Sequence, residues 1–239
     1  MLVRTKAIVL SKLKYRDNDL IIKCYTEQKG ITSYLIKGAN KNTKGGSKMA
    51  YFQYLTQLII EENYRENRSL QFIKEIKLHN NYFSLHSNLF KSSIAMFISE
   101  VLAEVLKEEE KNQELYDYLE TSLQWLDLQD SFSNFHLLFL LNLTKHLGFY
   151  PDTNNITSPY FNLINGSFEL KNHDIYRVSD ENISVLKSLL GTNFDKLEYI
   201  KLNSKQRQSF LNVLLLYFEL HLGVFKKPKS LDVFNQVFH

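Results

Sequence analysis

Cysteine is nearly absent from this chain of 239 residues, which contains only Cys24. A single thiol excludes an internal disulfide and any metal site built from several cysteines, and it is compatible with a reducing compartment. Because Cys24 lies in the apolar stretch 20–25 and no partner for a nucleophile is nearby, we expect it to be a small buried hydrophobic residue.

The sequence also lacks a long hydrophobic run. Its most apolar stretch, residues 210–225, is interrupted by Asn212, Glu219 and His221 and is shorter than the roughly 20 apolar residues that cross a bilayer. This stretch predicts a buried helix. The first twenty residues carry seven charged side chains without an uninterrupted apolar segment, so no signal peptide is visible. We therefore expect a cytoplasmic protein.

Catalytic signatures are missing as well. The sequence has no serine or cysteine nucleophile motif and no phosphate-binding P-loop. Asp17 and Asp19 belong to an ordinary turn composition, and no third carboxylate stands at the spacing of a metal site. We predict no enzymatic turnover, no cofactor and no metal.

Charge is divided unevenly along the chain. Residues 1–80 hold 15 Lys and Arg against 7 Asp and Glu, a net charge of +8, whereas residues 81–239 hold 14 against 19, a net charge of −5. A basic excess of this density attracts phosphate backbones, although charge alone does not separate nucleic acid from an acidic membrane or protein. The N-terminal part is therefore predicted to bind a polyanion.

Short β-prone segments separated by turn residues occupy the chain from residue 6 to residue 76. Five short strands favour a small closed barrel, because closure removes exposed sheet edges. A longer connection, residues 38–50, contains Gly45-Gly46. The predicted strands cover residues 6–13, 20–26, 31–37, 52–61 and 70–76.

After residue 80 the apolar residues recur at intervals of three and four, which is typical of amphipathic helices. Residues 152–177 are polar and irregular and predict an inserted loop or hairpin. The fold class is thus α+β, with a β domain over residues 1–80 and a helical domain over residues 81–239. The predicted helices cover residues 85–106, 112–126 with Asn112 as cap, 132–147 with Gly148 as stop, 180–190, 204–222 and 230–238.

Two groups of short motifs stand out along the chain. In the first part they are Lys6-Ala7-Ile8-Val9-Leu10, Tyr15-Arg16-Asp17-Asn18-Asp19, Lys29-Gly30 and Lys37-Gly38-Ala39. In the helical part they are Leu147-Gly148-Phe149-Tyr150-Pro151-Asp152, His221-Leu222-Gly223 and Lys229-Ser230-Leu231. In their order and spacing these motifs resemble the bacterial recombination mediator family RecO. The resemblance covers nearly the whole chain, although no single motif is diagnostic.

The resemblance implies an oligonucleotide-binding (OB) fold, here a five-stranded β-barrel, followed by a helical domain. It further implies a nucleoid-associated protein that binds single- and double-stranded DNA and anneals complementary strands. Its implied partners are RecR and the single-stranded DNA-binding protein (SSB), with which it loads recombinase. Many members carry a four-cysteine zinc element after the Pro-Asp, whereas residues 152–177 contain no cysteine. His173 alone does not supply a tetrahedral site, so we expect a zinc-free hairpin held by Tyr160, Phe161, Leu163 and Phe168.

Basic residues near the predicted strands are the candidate DNA contacts. For the residues of the 38–50 connection the alternative is a solvated loop whose lysines only maintain solubility. Barrels that bind single strands stack bases on exposed aromatic rings, and Tyr34 and Tyr51 are the candidates here, with core packing as the alternative. The candidate phosphate contacts are Lys6, Lys12, Lys14, Arg16, Lys37, Lys41, Lys44 and Lys48.

In the helical domain, the resemblance implies a hydrophobic pocket with a basic rim that receives the acidic C-terminal tail of SSB. The candidate rim residues are Lys145, Lys187, Lys205 and Arg207.

Two other functions are compatible with the sequence. The barrel of an adaptor would bind protein partners, and DNA contacts would then be incidental. An RNA-binding barrel of translation is a weaker alternative, because no accompanying catalytic or anticodon-reading module is present.

Overall fold

The computed structural model describes residues 2–39, 48–107, 110–171 and 175–238. Backbone contacts group the chain into two compact units. The first comprises Met1–Leu128 and Pro228–Phe234, and the second comprises Gln129–Lys227 and Asn235–His239. The first unit thus contains helices in addition to the sheet. The division into domains at residue 80 stays a prediction.

The first unit is built on a five-stranded antiparallel sheet in the order β3-β2-β1-β4-β5. Five strands followed by helices confirm the predicted α+β class and the OB-like N-terminal part. A short 3₁₀ helix, Lys48–Phe52, precedes β4, so Phe52 is not the start of a strand as predicted. The strands are β1 (Leu2–Tyr15), β2 (Asp19–Thr26), β3 (Gly30–Ile36), β4 (Gln57–Asn63) and β5 (Ile73–Leu78).

Among the described residues, the ladder of the sheet does not close into a complete barrel, which corrects the prediction of a closed one. Backbone hydrogen bonds join its two edges at Gln71, just before β5. The backbone N–H of Leu35 donates to the Gln71 carbonyl (2.9 Å), and the Gln71 N–H donates to the Ser33 carbonyl (2.8 Å). One bridge satisfies backbone groups of the edge strand β3 that would otherwise remain unpaired.

Alternating residues of the strands form the core of the sheet. Cys24 is fully buried there, as predicted, and burial raises the pKa of its thiol. The register of β1 and β2 shifts between Val9 and Ser11, which marks a bulge. The core comprises Ala7, Val9, Leu20, Ile22, Cys24, Tyr34, Ile36, Ala39, Phe52, Leu58 and Ile60.

Two long helices complete the first unit, α1 (Leu89–Val105) and α2 (Gln113–Leu128). The Asn88 side chain caps α1 by accepting from two backbone N–H groups. Asn112 caps α2 as predicted, since its Oδ1 accepts from the Leu115 N–H at 3.0 Å. Residues 231–234 of a short helix, α6 (Leu231–Val237), also belong to this unit.

The second unit contains α3 (Phe135–His146), α4 (Asp180–Leu189) and α5 (Ser204–Leu222). Gly148 follows α3 with a φ of +83°, a conformation that suits glycine, and this confirms the predicted stop. Helix α3 is buried along almost its whole surface, in agreement with its continuous apolar composition. None of the helices in the described part of the chain is long and apolar enough to cross a membrane.

The predicted insertion forms a small sheet in the order β7-β6-β8, with β6 at Tyr160–Asn162, β7 at Ser167–Glu169 and β8 at Arg177–Val178. Phe161, Leu163 and Phe168 are buried in it, whereas Tyr160 is only half-buried. His221 of α5 bonds through Nε2 to the Leu163 carbonyl (2.9 Å). Aromatic packing and hydrogen bonds therefore hold this segment. His173 lies outside the described residues.

Candidate nucleic-acid interface

The strand register brings four of the predicted basic residues to one end of the five-stranded sheet. Lys14 of β1 is paired with Leu20 of β2, which is paired with Ile36 of β3. Neighbouring strands lie about 4.8 Å apart, so Lys14 and the end of β3 are separated by about 10 Å of sheet. Arg16 lies in the turn after β1, and Lys37 follows β3 directly. We call Lys12, Lys14, Arg16 and Lys37 the basic end.

A side-chain contact fixes the two turns of the basic end against each other. Asp19, at the start of β2, accepts a hydrogen bond through Oδ1 from the Gly38 N–H at 2.9 Å. This bond ties the segment after β3 to the β1–β2 turn. It places Lys37 beside the turn that carries Arg16.

All four side chains of the basic end are exposed. The Lys12 ammonium lies 5.6 Å from the ring centroid of Tyr54, and the Arg16 guanidinium lies 5.2 Å from that of Tyr15. Within the described ranges, none of the four forms an ion pair with a carboxylate. Their positive charge is therefore available to an anion from outside the chain.

Beside the basic end lies an aromatic residue that sequence reasoning missed. Phe72 is 37% exposed, and two cations approach its ring, the Lys37 Nζ and the Arg68 guanidinium carbon, each at 5.5 Å from the centroid. A cavity of about 210 Å³ adjoins the ring. The signal in the sequence was an aromatic residue between Arg68 and Lys74, but Phe72 was assigned to the interior of a predicted strand.

The side chain of Gln71 organises the segment that carries Arg68 and Phe72. Its amide nitrogen donates to the carbonyls of Arg65 (2.8 Å) and Arg68 (2.9 Å), and its Oε1 accepts from the Arg65 N–H (3.1 Å). Gln71 is only 3% exposed. Together with its two backbone bonds to β3, these contacts give the segment a defined conformation.

Lys6 is not part of the basic end. Its ammonium group forms an ion pair with Glu120 of α2 at 3.1 Å, and His79 contacts the same carboxylate at 2.9 Å. Lys41 and Lys44 lie outside the described residues, as does the side chain of Lys48. Lys48 itself begins the 3₁₀ helix before β4.

The two aromatic residues predicted to stack on bases lie elsewhere. Tyr34 is fully buried, and its hydroxyl donates to Glu62 Oε1 at 3.2 Å. Its ring therefore offers no face to a base, and the prediction that Tyr34 stacks on bases is wrong. The register explains the burial, because Thr32, Tyr34 and Ile36 form the inward face of β3. Tyr51 is half-buried and packs against the core of the sheet.

Glu62 is a buried carboxylate in the same core. It is 0% exposed, and its Oε2 atom has no hydrogen-bond partner among the described residues. Burial raises the pKa of Glu62, although the Tyr34 hydrogen bond and the charge of Lys29 act in the opposite direction. The carboxyl is therefore shifted toward its protonated form.

The four candidate SSB contacts lie on different elements of the second unit. Lys145 and Lys205 are exposed, in the last turn of α3 and the first turn of α5. Lys187 donates to the Ser158 carbonyl at 2.8 Å beside the small sheet. Arg207 donates to the Leu202 carbonyl at 2.6 Å and lines a polar cavity of about 610 Å³.

Burial lowers the pKa values of two neighbouring basic groups, the Arg207 guanidinium and the His136 imidazole. His136 of α3 is buried, and this burial, reinforced by the charge of Arg207, lowers the pKa of the imidazole to about 3. His136 is thus neutral near pH 7. Among the described residues, no cluster of three or more His, Cys, Asp or Glu side chains could hold a metal ion.

Comparison with known proteins links both parts of the chain to one family. Residues 1–82 match the family model "Recombination protein O N terminal", and residues 86–232 match "Recombination protein O C terminal". Similar proteins include the DNA repair protein RecO of Christiangramia forsetii, 48% identical, that of Flavobacterium psychrophilum, 42% identical, and that of Bacteroides fragilis, 37% identical. Each comparison covers the full length of both chains.

Proposed function

The chain belongs to the RecO family of DNA repair proteins, and we propose that the basic end of its sheet binds single- and double-stranded DNA through the phosphate backbone. The observation that carries this proposal is the grouping of Lys12, Lys14, Arg16 and Lys37. These exposed side chains lie at one end of three adjacent strands without ion-pair partners among the described residues.

Phosphate contacts fix the position of a protein on DNA and carry little sequence information. Binding at the basic end is therefore nearly independent of base sequence and strongly dependent on salt, because each neutralised phosphate releases condensed counterions. Annealing of complementary strands follows from the same physics, since neutralising two backbones reduces the repulsion between them.

The remaining parts of the proposal rest on family membership. We place the protein with RecR in the loading of recombinase on SSB-coated DNA, without enzymatic turnover of its own. The acidic tail of SSB is assigned to the helical part, with Lys145, Lys187, Lys205 and Arg207 as its proposed contacts. The lysines of the 38–50 connection are retained as additional proposed DNA contacts.

The test is the affinity for a fluorescent oligo(dT) strand, measured by anisotropy across a range of salt concentrations. Five phosphate contacts, made by the basic end and Arg68, predict a log-log slope near −3.5, at about 0.7 per contact on a single strand. The triple variant Lys14→Glu, Arg16→Glu, Lys37→Glu is expected to lose most of its affinity and to show a shallower slope.

A matched control reverses three exposed lysines of the second unit, Lys171, Lys226 and Lys227, and changes the net charge of the chain by the same amount. This control is expected to bind oligo(dT) nearly as the wild type does. Equal losses in both triple variants would show that only net charge matters. Unchanged binding after reversal of the basic end would favour the adaptor function, in which the sheet contacts protein partners.

A further inference from the structure

We propose that Phe72 is a base-stacking platform for single-stranded DNA, with Lys37 and Arg68 as the phosphate-binding groups beside it. This inference rests on the proposed function and makes it specific, because it assigns to one residue the preference of the site for unpaired bases. It replaces Tyr34, whose ring is buried, as the stacking aromatic of the sheet.

Phe72 differs in exposure from the aromatic residues that form the core of the sheet. Tyr34 of β3 and Phe52 of the 3₁₀ helix are fully buried in the core of the sheet, whereas Phe72 lies at the joined edges of β3 and β5 and is 37% exposed. An exposed ring offers its face to any base, because every base has a π-face.

The charges around the ring suit a nucleotide better than an apolar ligand. Lys37 and Arg68 each lie 5.5 Å from the ring centroid, and within the described part of the chain neither forms an ion pair. A nucleotide brings a flat ring and a negative phosphate together. Phe72 and its two neighbouring cations present the complementary pair of features.

Hydrogen bonds hold the backbone segment that precedes Phe72. Gln71, the preceding residue, binds β3 through two backbone hydrogen bonds and binds Arg65 and Arg68 through its side chain. The backbone from Arg65 to Gln71, directly before Phe72, is thereby held at the sheet edge. Little conformational freedom of this segment is lost on binding, which favours affinity.

The adjoining cavity provides an apolar surface next to the ring. It has a volume of about 210 Å³ and is lined by Leu35, Ile36, Lys37, Phe52, Phe72 and Ile73, among others. Pockets that enclose drug-sized ligands are larger, at about 300–1,000 Å³. The size and the mixed apolar and cationic lining fit partial cover of a base on a continuous strand.

The occupant is a single strand, because bases in a duplex are already stacked and paired and offer no face to Phe72. Replacing Phe72 with alanine is therefore expected to weaken oligo(dT) binding about 5-fold to 150-fold, the range of one base stacked on an aromatic side chain. Duplex affinity and the salt slope of oligo(dT) binding are expected to stay near wild type, because no phosphate contact is removed.

Three further variants control for folding, for the chemistry of the ring and for the position of the aromatic side chain. Phe72→Leu keeps an apolar side chain without a π-face and is expected to bind as weakly as Phe72→Ala. Phe72→Trp is expected to retain affinity, and its added indole fluorescence should be quenched by oligo(dT), measured against wild type with its single native Trp125. Phe83→Ala removes an aromatic that is 83% exposed in the same unit and should leave binding unchanged.

The outcomes separate this inference from the function on which it rests. Wild-type binding with a steep salt slope, combined with unchanged oligo(dT) affinity in Phe72→Ala and Phe72→Leu, would overturn the stacking role alone. Equal weakening of oligo(dT) and duplex binding would overturn it too, because stacking discriminates between them. Wild-type protein with flat salt dependence would instead contradict the phosphate-binding function.

Discussion

Two aromatic residues of the five-stranded sheet differ in exposure because of the positions that they occupy along its strands. Tyr34 points inward from the middle of β3, where its hydroxyl reaches Glu62. Phe72 lies just before β5, at the point where the sheet edges meet, and remains partly exposed beside two cations. The faces of β3 are both apolar in the sequence, so alternation alone did not identify the inward one.

Glu62 offers a test of the core at the level of a single residue. The pKa of its carboxyl is raised, chiefly by burial, so the folded chain holds its proton to higher pH than the unfolded chain does. The free energy of unfolding of the wild type is therefore expected to fall as pH rises from about 4.3, the unfolded value, through the folded pKa.

The variant Glu62→Gln keeps the acceptor for the Tyr34 hydroxyl and removes the titrating group. It is expected to lack this pH dependence and to be more stable near neutral pH, by about 1.4 kcal/mol for each unit by which the pKa is raised. Urea unfolding at several pH values measures the free energy of unfolding of each variant and its dependence on pH. Glu66→Gln, at an exposed position, is the control, and a Glu62→Gln variant that is less stable throughout would contradict this prediction.

At the scale of elements, one carboxylate fixes the connection between β5 and α1 to the end of α2. Asp127 accepts hydrogen bonds from the backbone N–H groups of Phe83 (2.9 Å), Ser84 (2.8 Å) and Leu85 (2.7 Å). Lys91, itself buried, donates to the Asp127 carbonyl and to Ser84 Oγ, both at 2.8 Å. These contacts hold the connection in place although it contains no helix or strand.

The variant Asp127→Asn is expected to destabilise the chain by about 1–3 kcal/mol near neutral pH, because buried backbone donors lose an acceptor. Burial alone would raise the pKa of Asp127, but the three backbone N–H donors and Lys91 outweigh it and lower the pKa. Its stabilisation is thus present above the unfolded pKa of about 3.9 and is lost as pH falls through the lower folded value.

Thermal unfolding of both proteins across acidic pH measures this effect. The difference in the free energy of unfolding between wild type and Asp127→Asn is expected to become smaller as the Asp127 carboxylate is protonated. Asp130→Asn, at an exposed position three residues further along the chain, should behave as the wild type. A difference that does not change with pH would contradict this prediction, because it would show that the charge of Asp127 does not contribute to stability.

The type of most elements could be predicted from the sequence, because periodicity and end signals agree. Asn112 caps α2 and Gly148 ends α3, as their residue types indicate. The bridge at Gln71 was beyond such reasoning, since it joins segments that are distant in sequence and depends on the twist of the sheet. Phe72 was missed because it was assigned to the interior of a predicted strand, whereas it lies beside this bridge and before β5.

At the scale of the whole molecule, the basic excess of residues 1–80 is partly neutralised within the first unit. Residues 81–128 hold 3 Lys and Arg against 9 Asp and Glu, and Glu120 of α2 forms an ion pair with Lys6. Lys23 donates to the Ala103 carbonyl of α1 at 2.7 Å. Lys6 and Lys23 are thus engaged with the helices, whereas the four side chains of the basic end form no ion pair among the described residues.

Charge counts along the chain predicted a polyanion site in the N-terminal part. They did not distinguish basic side chains that bind other groups of the chain from those that remain exposed without an ion pair. That distinction depends on which strand residues face α1 and α2, as the contacts of Lys6 and Lys23 show. Lys14 and Lys37 are 23 positions apart in the sequence and are brought to one end only by the register of three strands.

Photo-cross-linking of oligo(dT) to the full-length protein, followed by peptide mapping, tests the location of the DNA site most directly. Cross-links are predicted in segments 12–16, 35–37 and 68–74, and they should decrease when salt is raised. Cross-links confined to residues 129–227, with none in these three segments, would contradict the assignment of DNA binding to the basic end of the sheet.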